Sequence, residues 1–214
     1  MRIVREGWPW IVLPALAGTA AAASGRKRGA GLCGLFSGLA LWFFRDPYRE
    51  PVWDRELLIS PADGEVALVR YLAELEDFPG PVYRVGILMR LQDVHVNRSP
   101  VSGRVRHIRW QKGEKWPAFW ERALARNEKR YFFLERDDGL PVLVVQVAGI
   151  LARRTVSFLR PGDEVLAGDR LGMIKLGSRV ELFFPAEGAR LLVREGHRVR
   201  AGETPLALLP WRGS

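Results

Sequence analysis

The chain has 214 residues, with 33 lysines and arginines against 24 acidic residues and a formal charge of +9. That length suits one ordinary domain with an appendage, and the basic excess suits a polyanion or an anionic membrane surface. The single Cys33 excludes an intrachain disulfide and any paired-cysteine metal site, and the three histidines, His95, His107 and His197, lack zinc-ligand spacing, so no metal is expected.

Two uncharged runs open the chain, residues 8–24 and 30–44, separated by Arg26, Lys27 and Arg28. Each is shorter than the roughly 20 residues that a straight transmembrane helix needs. Trp8, Trp10 and Trp42 lie near the outer ends, where aromatic belts form. Basic residues on both sides argue against a cleaved signal peptide, despite the alanine-rich stretch at 19–24. The pattern predicts a helical hairpin over residues 1–44, set shallowly in a cell membrane, with the basic tripeptide as its loop. Arg2, Arg5 and Arg45 would keep the main domain on the cytoplasmic side. Runs of this length also suit a buried core hairpin. Arg45-Asp46-Pro47 ends the second helix, because a residue before proline disfavours helical geometry. Residues 45–56 read as a linker, and 57–214 as the main domain.

That domain reads mostly as strand. Val66 and Leu68, Val82 to Leu88, Val101 to Ile108 and Tyr131 to Leu134 carry apolar β patterns. Val142 to Val147 is a continuous apolar run, as expected of a strand buried on both faces. A helix is predicted over 116–129, from Pro117 through Phe119, Trp120 and Leu124. Trp110, Trp116 and Trp120 read as core or membrane-facing packing. Two motifs recur. Ser60-Pro61-x-x-Gly64-x-Val66 returns as Ser99-Pro100-x-x-Gly103-x-Val105, and Gly162-x-x-Val165-x-Ala167-Gly168 as Gly196-x-x-Val199-x-Ala201-Gly202. Each is a turn feeding a short strand. The fold class expected is mainly β, a compact sandwich or flattened barrel, with turns like those of lipoyl and biotinyl carrier domains.

The stretch with chemistry in it is Leu176-Gly177-Ser178-Arg179-Val180-Glu181-Leu182-Phe183-Phe184-Pro185. Val180, Leu182 and Phe184 alternate as a half-buried strand, directly after a Gly-Ser pair. Such pairs are ordinarily turns. A serine hydroxyl held against the preceding carbonyl can also attack it, giving an ester. β-Elimination then breaks the chain and leaves a pyruvoyl group, an electron sink for amine substrates. A serine used in this way needs a base, and a carboxylate helps to orient that base.

The run LGSRVELFFP resembles the self-processing site of phosphatidylserine decarboxylases. Further motifs match in order: Asp63 in SPADG, His95 in DVHVNRSPVSG, and VQVAGILARR at 145–154, ending in Arg153 and Arg154. The likeness covers about residues 5 to 209, including REGWP and FFRDP. The resemblance implies cleavage between Gly177 and Ser178, with Ser178 becoming the pyruvoyl cofactor that forms a Schiff base with substrate. It implies a processing triad of Asp63, His95 and Ser178, and chains 1–177 and 178–214 that stay together. It implies conversion of phosphatidylserine to phosphatidylethanolamine at the membrane, with no nucleic acid as partner. A related headgroup such as archaetidylserine would leave the same motifs, and a homo-oligomer is compatible with them. Longer members carry a second histidine where this chain has Arg98, so proteolytic and decarboxylation roles are not divided between two histidines here.

Plainer readings stand beside these. Asp63 before Gly64 is a standard turn pair. His95 sits in an apolar stretch that suits a satisfied core histidine. Arg153 and Arg154 could hold a substrate phosphate through their forked donors, or form a solvated strand end. His107 and His197, among arginines, are assigned no role. A carrier domain modified on Lys175, or a non-catalytic membrane-anchored β module, are the alternatives to an enzyme.

Overall fold

The computed structural model describes residues 1–52, 54–114, 116–117, 120–149, 154–175 and 178–212 and, of Glu121, Ala123 and Ser178, the backbone alone. The chain divides into two compact units, Met1–Tyr48 and Arg49–Ser214.

The first unit runs β1 (Arg2–Ile3), α1 (Trp8–Ala23), α2 (Lys27–Phe43) and β2 (Arg45–Asp46), with β1 and β2 paired antiparallel. The helices form an antiparallel pair. Ser37 Oγ donates to the Ile11 carbonyl at 3.1 Å. Small residues let the backbones approach, since a Cβ on Gly18 would lie 3.0 Å from that of Cys33. The basic tripeptide is not a loop throughout: Lys27 and Arg28 already belong to α2, and residues 24–26 make the reversal. At about 1.5 Å rise per residue each helix is about 25 Å long, below the roughly 30 Å of a hydrocarbon core. Among the described residues no helix is long and apolar enough to cross a membrane. Trp8, Leu13 and Leu16 on α1, and Leu32, Leu35 and Leu39 on α2, are exposed.

The second unit is mainly β. In chain order it contains β3 (Leu57–Ile59), β4 (Gly64–Leu72), β5 (Val82–Met89), β6 (Val96–Arg98), β7 (Gly103–Gln111) and α3 (Glu121–Arg126). Then come β8 (Lys129–Arg136), β9 (Pro141–Ala148), β10 (Thr155–Ser157), β11 (Glu164–Val165) and β12 (Arg170–Ile174). The last strands are β13 (Ser178–Pro185), β14 (Arg190–Leu191), β15 (Arg198–Val199) and β16 (Pro205–Leu208). An eight-stranded sheet has the order β11-β7-β8-β9-β13-β5-β4-β15, beside three-stranded sheets β10-β12-β6 and β14-β16-β3.

These orders repeat internally. Exchanging β3–β5 with β6–β8, β9 with β13, and β10–β12 with β14–β16 maps each pairing onto another. The unit is therefore two similar halves. The inner half, β6 to β12, is continuous. The outer half, β3–β5 with β13–β16, flanks it in sequence. The repeated motifs lie at equivalent places. Ser60 Oγ donates to Ala62 O and Ser99 Oγ to Val101 O, each at 2.7 Å. Val66 N–H meets His197 O as Val105 N–H meets Asp163 O, both at 2.9 Å. The two long hairpins each carry a register shift at the same point, between Val66 and Leu68 and between Val105 and His107.

One face of the large sheet carries the main core, including Val66, Ile87, Val105, Phe132, Val144, Val180, Leu182 and Phe184. Complete burial of a side chain such as Leu182 or Phe184 contributes about 1.5–3 kcal/mol. The other face holds Leu143, Val145 and Val147, with Phe78, Leu124 and Phe183 against them. β9 is thus buried on both faces, as its unbroken apolar run requires. Of the helix expected over 116–129, the described residues form α3, Glu121–Arg126, while Phe119 lies outside them. Asn127 accounts for the difference. Its side chain accepts from Trp116 N–H at 2.8 Å and donates to the Trp116 and Ala148 carbonyls, satisfying the loop backbone without helical bonds. Val101 also lies outside a strand, in the turn before β7.

Glycine at the head of each long hairpin is a matter of close approach. A Cβ on Gly103 would sit 2.0 Å from the Glu135 carbonyl oxygen, whereas one on Gly162, at φ 95°, would meet nothing within 4 Å. Gly162→Ala should therefore cost about 1–2 kcal/mol of backbone strain, and Gly103→Ala more than about 2 kcal/mol by displacing the hairpin. Urea midpoints of the two variants check the order.

Candidate active site

β13 begins at Ser178 in the middle of the large sheet. It pairs with β5 on one side, Ser178 opposite Met89, and with β9 on the other, Ser178 opposite Ala148. Alternation puts Val180, Leu182 and Phe184 in the core, and Arg179 and Glu181 on the opposite face, where Arg84 Nε donates to Glu181 at 2.7 Å and Arg179 pairs with Glu181 too. Leu176, Gly177 and Arg153 lie outside the described residues. The chain passes from inner to outer half between β12 and β13, and from outer to inner between β5 and β6. The expected cleavage site falls on the first crossover and His95 on the second.

His95 is fully buried. Its Nδ1 lies 2.8 Å from the Asp93 carbonyl oxygen. A carbonyl only accepts, so Nδ1 carries the proton and the basic lone pair is on Nε2. The backbone ties the two crossovers together: Ile174 N–H donates to the His95 carbonyl at 3.2 Å. Asp93 holds the turn. Its carboxylate accepts from Arg90 N–H at 2.7 Å and from Arg198 Nη2 at 2.6 Å. Asp93 and Arg198 were not singled out from sequence. An aspartate that bonds the amide three residues before it is a turn signal, and it could have marked Asp93.

Asp63 has other bonds. Arg49 Nη2 donates to both its oxygens at 2.9 and 2.7 Å, and Ala201 N–H donates to Oδ1 at 2.8 Å. In the other half Ser102 occupies the equivalent place and takes the equivalent amide, Ala167 N–H, at 3.0 Å. Asp63 thus binds the turn opposite it and adds an ion pair with Arg49, within the stretch expected to be only a linker. Arg98, in place of a second histidine, sends Nη1 to the Gly168 carbonyl at 2.9 Å. Arg154 is exposed, and its carbonyl accepts from Lys175 N–H at 3.3 Å.

Two fully buried amides complete the surroundings. Gln146 on β9 donates from Nε2 to Asn97 Oδ1 at 2.8 Å, and Asn97 Nδ2 faces Met89 Sδ at 3.8 Å. Neither was selected from sequence. A surface hollow of about 510 Å³ lies elsewhere, lined by Arg104, Glu135, Glu164 and Asp169, and includes none of these residues.

Residues 36–207 match the family model described as phosphatidylserine decarboxylase. The phosphatidylserine decarboxylase proenzyme of Nocardia farcinica is 42% identical over 207 residues, 95% of this chain and 86% of that protein. That of Symbiobacterium thermophilum is 42% identical over 210 residues, covering 97% of this chain and 96% of the relative. The proenzyme of Carboxydothermus hydrogenoformans is 43% identical over 164 residues, 77% of this chain and 76% of its own length. The chain belongs to the phosphatidylserine decarboxylase family.

The segment after Ser178 is clamped at its far end. Arg136, 2% exposed, donates to the Leu209 and Pro210 carbonyls at 3.1 and 2.8 Å, and binds Asp138 through two bonds of 2.7 and 2.5 Å. Burial pushes the Asp138 carboxyl up, but bonds from Arg136 and the Arg212 amide outweigh it and bring it from 3.8 down to about 2. The folded value is depressed, so the unfolded chain binds more protons between the two values. This stabilisation is complete above about pH 4 and is lost as pH falls toward 2. Urea midpoints taken from pH 5 to 2.5 should fall less steeply in Asp138→Asn than in the unaltered protein.

Proposed function

We propose that this chain is a proenzyme that splits itself between Gly177 and Ser178 and then decarboxylates phosphatidylserine to phosphatidylethanolamine. The observation that carries this reading is the family match over residues 36–207, which takes in Asp63, His95 and Ser178 together.

The Ser178 hydroxyl attacks the Gly177 carbonyl; the resulting ester eliminates to a Gly177 carboxylate and a dehydroalanine, and water hydrolyses the latter to a pyruvoyl end on residues 178–214 with release of ammonia. His95 Nε2 takes the hydroxyl proton, with the ring held by the Asp93 carbonyl. Asp63, committed to Arg49 and Ala201, serves the triad by fixing the turn that carries β4. The residues around the head of β13 suit a pyruvoyl group: buried Asn97, two residues after buried His95, faces Met89, the register partner of Ser178. Bound there, that group supplies the electron sink for loss of carbon dioxide. His95 then holds the proton returned to the substrate carbon, and Arg153 and Arg154 take the headgroup phosphate.

Two strand ladders and the Arg136 clamp favour retention of the smaller chain after the cut. The first unit lies in the membrane interface as a re-entrant helix pair, its exposed leucines and Trp8 toward lipid and the main unit on the cytoplasmic side. The paired turn–strand halves are read as distant kin of lipoyl and biotinyl domains in architecture, with Lys175 unmodified.

Intact mass under denaturing conditions should give two chains dividing after Gly177, the smaller bearing a keto end, and Ser178→Ala should stay whole, folded and inactive. A split alanine variant would exclude serine-driven cleavage. Arg136→Ala should split normally but release the smaller chain on gel filtration at mild denaturant, where the unaltered pair stays together.

A further inference from the structure

The two halves of the second unit carry equivalent long hairpins, but only one ends in exposed tryptophan. β4 and β5 are joined by residues 73–81, which hold Glu74, Glu76 and Asp77 and no base. β7 and β8 are joined by the longer 112–128, with four bases against three acids and with Trp116 and Trp120. Each connection sends an apolar side chain, Phe78 or Leu124, to cover Leu143, Val145 and Val147 on the sheet. The shorter connection does so without any tryptophan. Trp110, 51% exposed, and Trp120, 44%, are the exposed tryptophans of the second unit among the described residues. Trp120 stacks on Trp116 with ring centroids 5.7 Å apart. An indole with an apolar body and a polar N–H suits a headgroup layer better than open water.

Register shows where this end of the hairpin lies. Gln111 is opposite Lys129, Lys129 opposite Val147, and Val147 opposite Arg179, so it is the end of the sheet at which β13 begins. Asn127 Nδ2 donates to the Ala148 carbonyl at 2.6 Å, and the Ala148 amide donates to the Glu128 carbonyl at 3.0 Å. Ala148 is a register partner of Ser178. Exposed Leu91 follows Met89, the other partner, at the same end. The acidic connection lies at the opposite end, where Leu72, Val82 and Pro185 are in register. Charge follows the same division. Glu114 pairs with Arg126 at 3.8 Å, and Glu128 accepts from the Thr155 amide and hydroxyl at 2.9 and 3.0 Å. Lys112 and Arg122 are exposed and make no ion pair among the described residues.

We propose that the end of the large sheet at the head of β13 rests on an anionic lipid surface. Trp110, Trp120 and Leu91 enter the headgroup layer, and Lys112 and Arg122 lie against its charges. The inference rests on the lipid-substrate reading above for its purpose, and on this surface for the contact. A headgroup then reaches the head of β13 while its lipid stays in the bilayer, because the docking residues and that strand end are together. Basic side chains near an anionic leaflet add an attraction that salt screens. The acidic connection, which the same surface repels, is held away by the length of the sheet.

The test is hydroxyl-radical footprinting of the whole protein, alone and bound to vesicles of phosphatidylglycerol and phosphatidylcholine, read residue by residue by mass. Tyr71 is the internal control. It is 59% exposed, stands where Trp110 stands in the repeat, and lies at the opposite end of the sheet. On vesicles, oxidation of Trp110 and Trp120 should fall at least about fivefold relative to Tyr71. If both stay as reactive as Tyr71 on the bound chain, the proposal is overturned. Equal protection without vesicles at raised protein concentration also overturns it, and assigns the surface to a second copy. Lys112→Glu combined with Arg122→Glu adds a second readout. Decarboxylation of phosphatidylserine in these vesicles should fall at least about tenfold at low salt, with short-chain phosphatidylserine dissolved as single molecules handled normally. A variant that loses both activities equally, or neither, counts against the contact. An unaltered protein that decarboxylates neither substrate sinks the reading of function, and the footprint then decides this inference alone.

Discussion

The pairing of β13 on both edges is the constraint on which the second unit depends. With β5 on one side and β9 on the other, β13 joins the outer half to the inner one within the large sheet, through its pairing with β9. Its core face supplies Val180, Leu182 and Phe184 to the main cluster. Its other face carries Glu181, the shared partner of Arg84 and Arg179. A buried carboxylate is tolerable only with such partners. Fixing β13 in register fixes Met89 and Ala148 opposite its first residue, and hence every side chain that approaches that end of the sheet.

Position in the halves explains why the candidate residues converge. A duplicated fold whose second copy is inserted into the first has two crossovers, and both lie where the copies meet. His95 lies on one crossover with Asn97 in β6 directly after it, and Ser178 opens β13 directly after the other. The repeated Ser-Pro turns show what was altered. Ser102 and Asp63 hold equivalent amides, but the carboxylate also draws in Arg49 from outside the repeat. One copy keeps a neutral bond and the other a charged one.

Much of this was legible in the sequence. Alternation marked β13, the unbroken apolar run marked β9, and the two repeated motifs marked equivalent turns. The choice of partner was not legible. Spacing along the chain cannot tell that the turn at Ser60 closes against Gly202 and the one at Ser99 against Gly168, because nesting reverses the nearest-neighbour expectation. The helix expected over 116–129 stops at Arg126 for a local reason: the Asn127 side chain satisfies loop backbone that further helical turns would have satisfied. Arg49 read as linker because its partners, Asp63 and Glu203, lie 14 and 154 residues further along the chain. Asn97 and Gln146 were passed over because an amide in an apolar strand has no spacing rule. Only their mutual contact gives them direction.

The nested order of the halves also gives the fold a history that its final shape conceals. The inner half closes on itself from one continuous piece of chain, whereas the outer half must wait for its two pieces to meet across it, a closure whose entropic cost grows with the length spanned. While the chain is whole, that meeting is intramolecular. Once the peptide link at the head of β13 is gone, the outer half can be rebuilt only by collision of separate molecules. Unfolding of such a split protein is then a one-way event at high dilution, and its lifetime is set by the rate at which β13 is first pulled from the sheet.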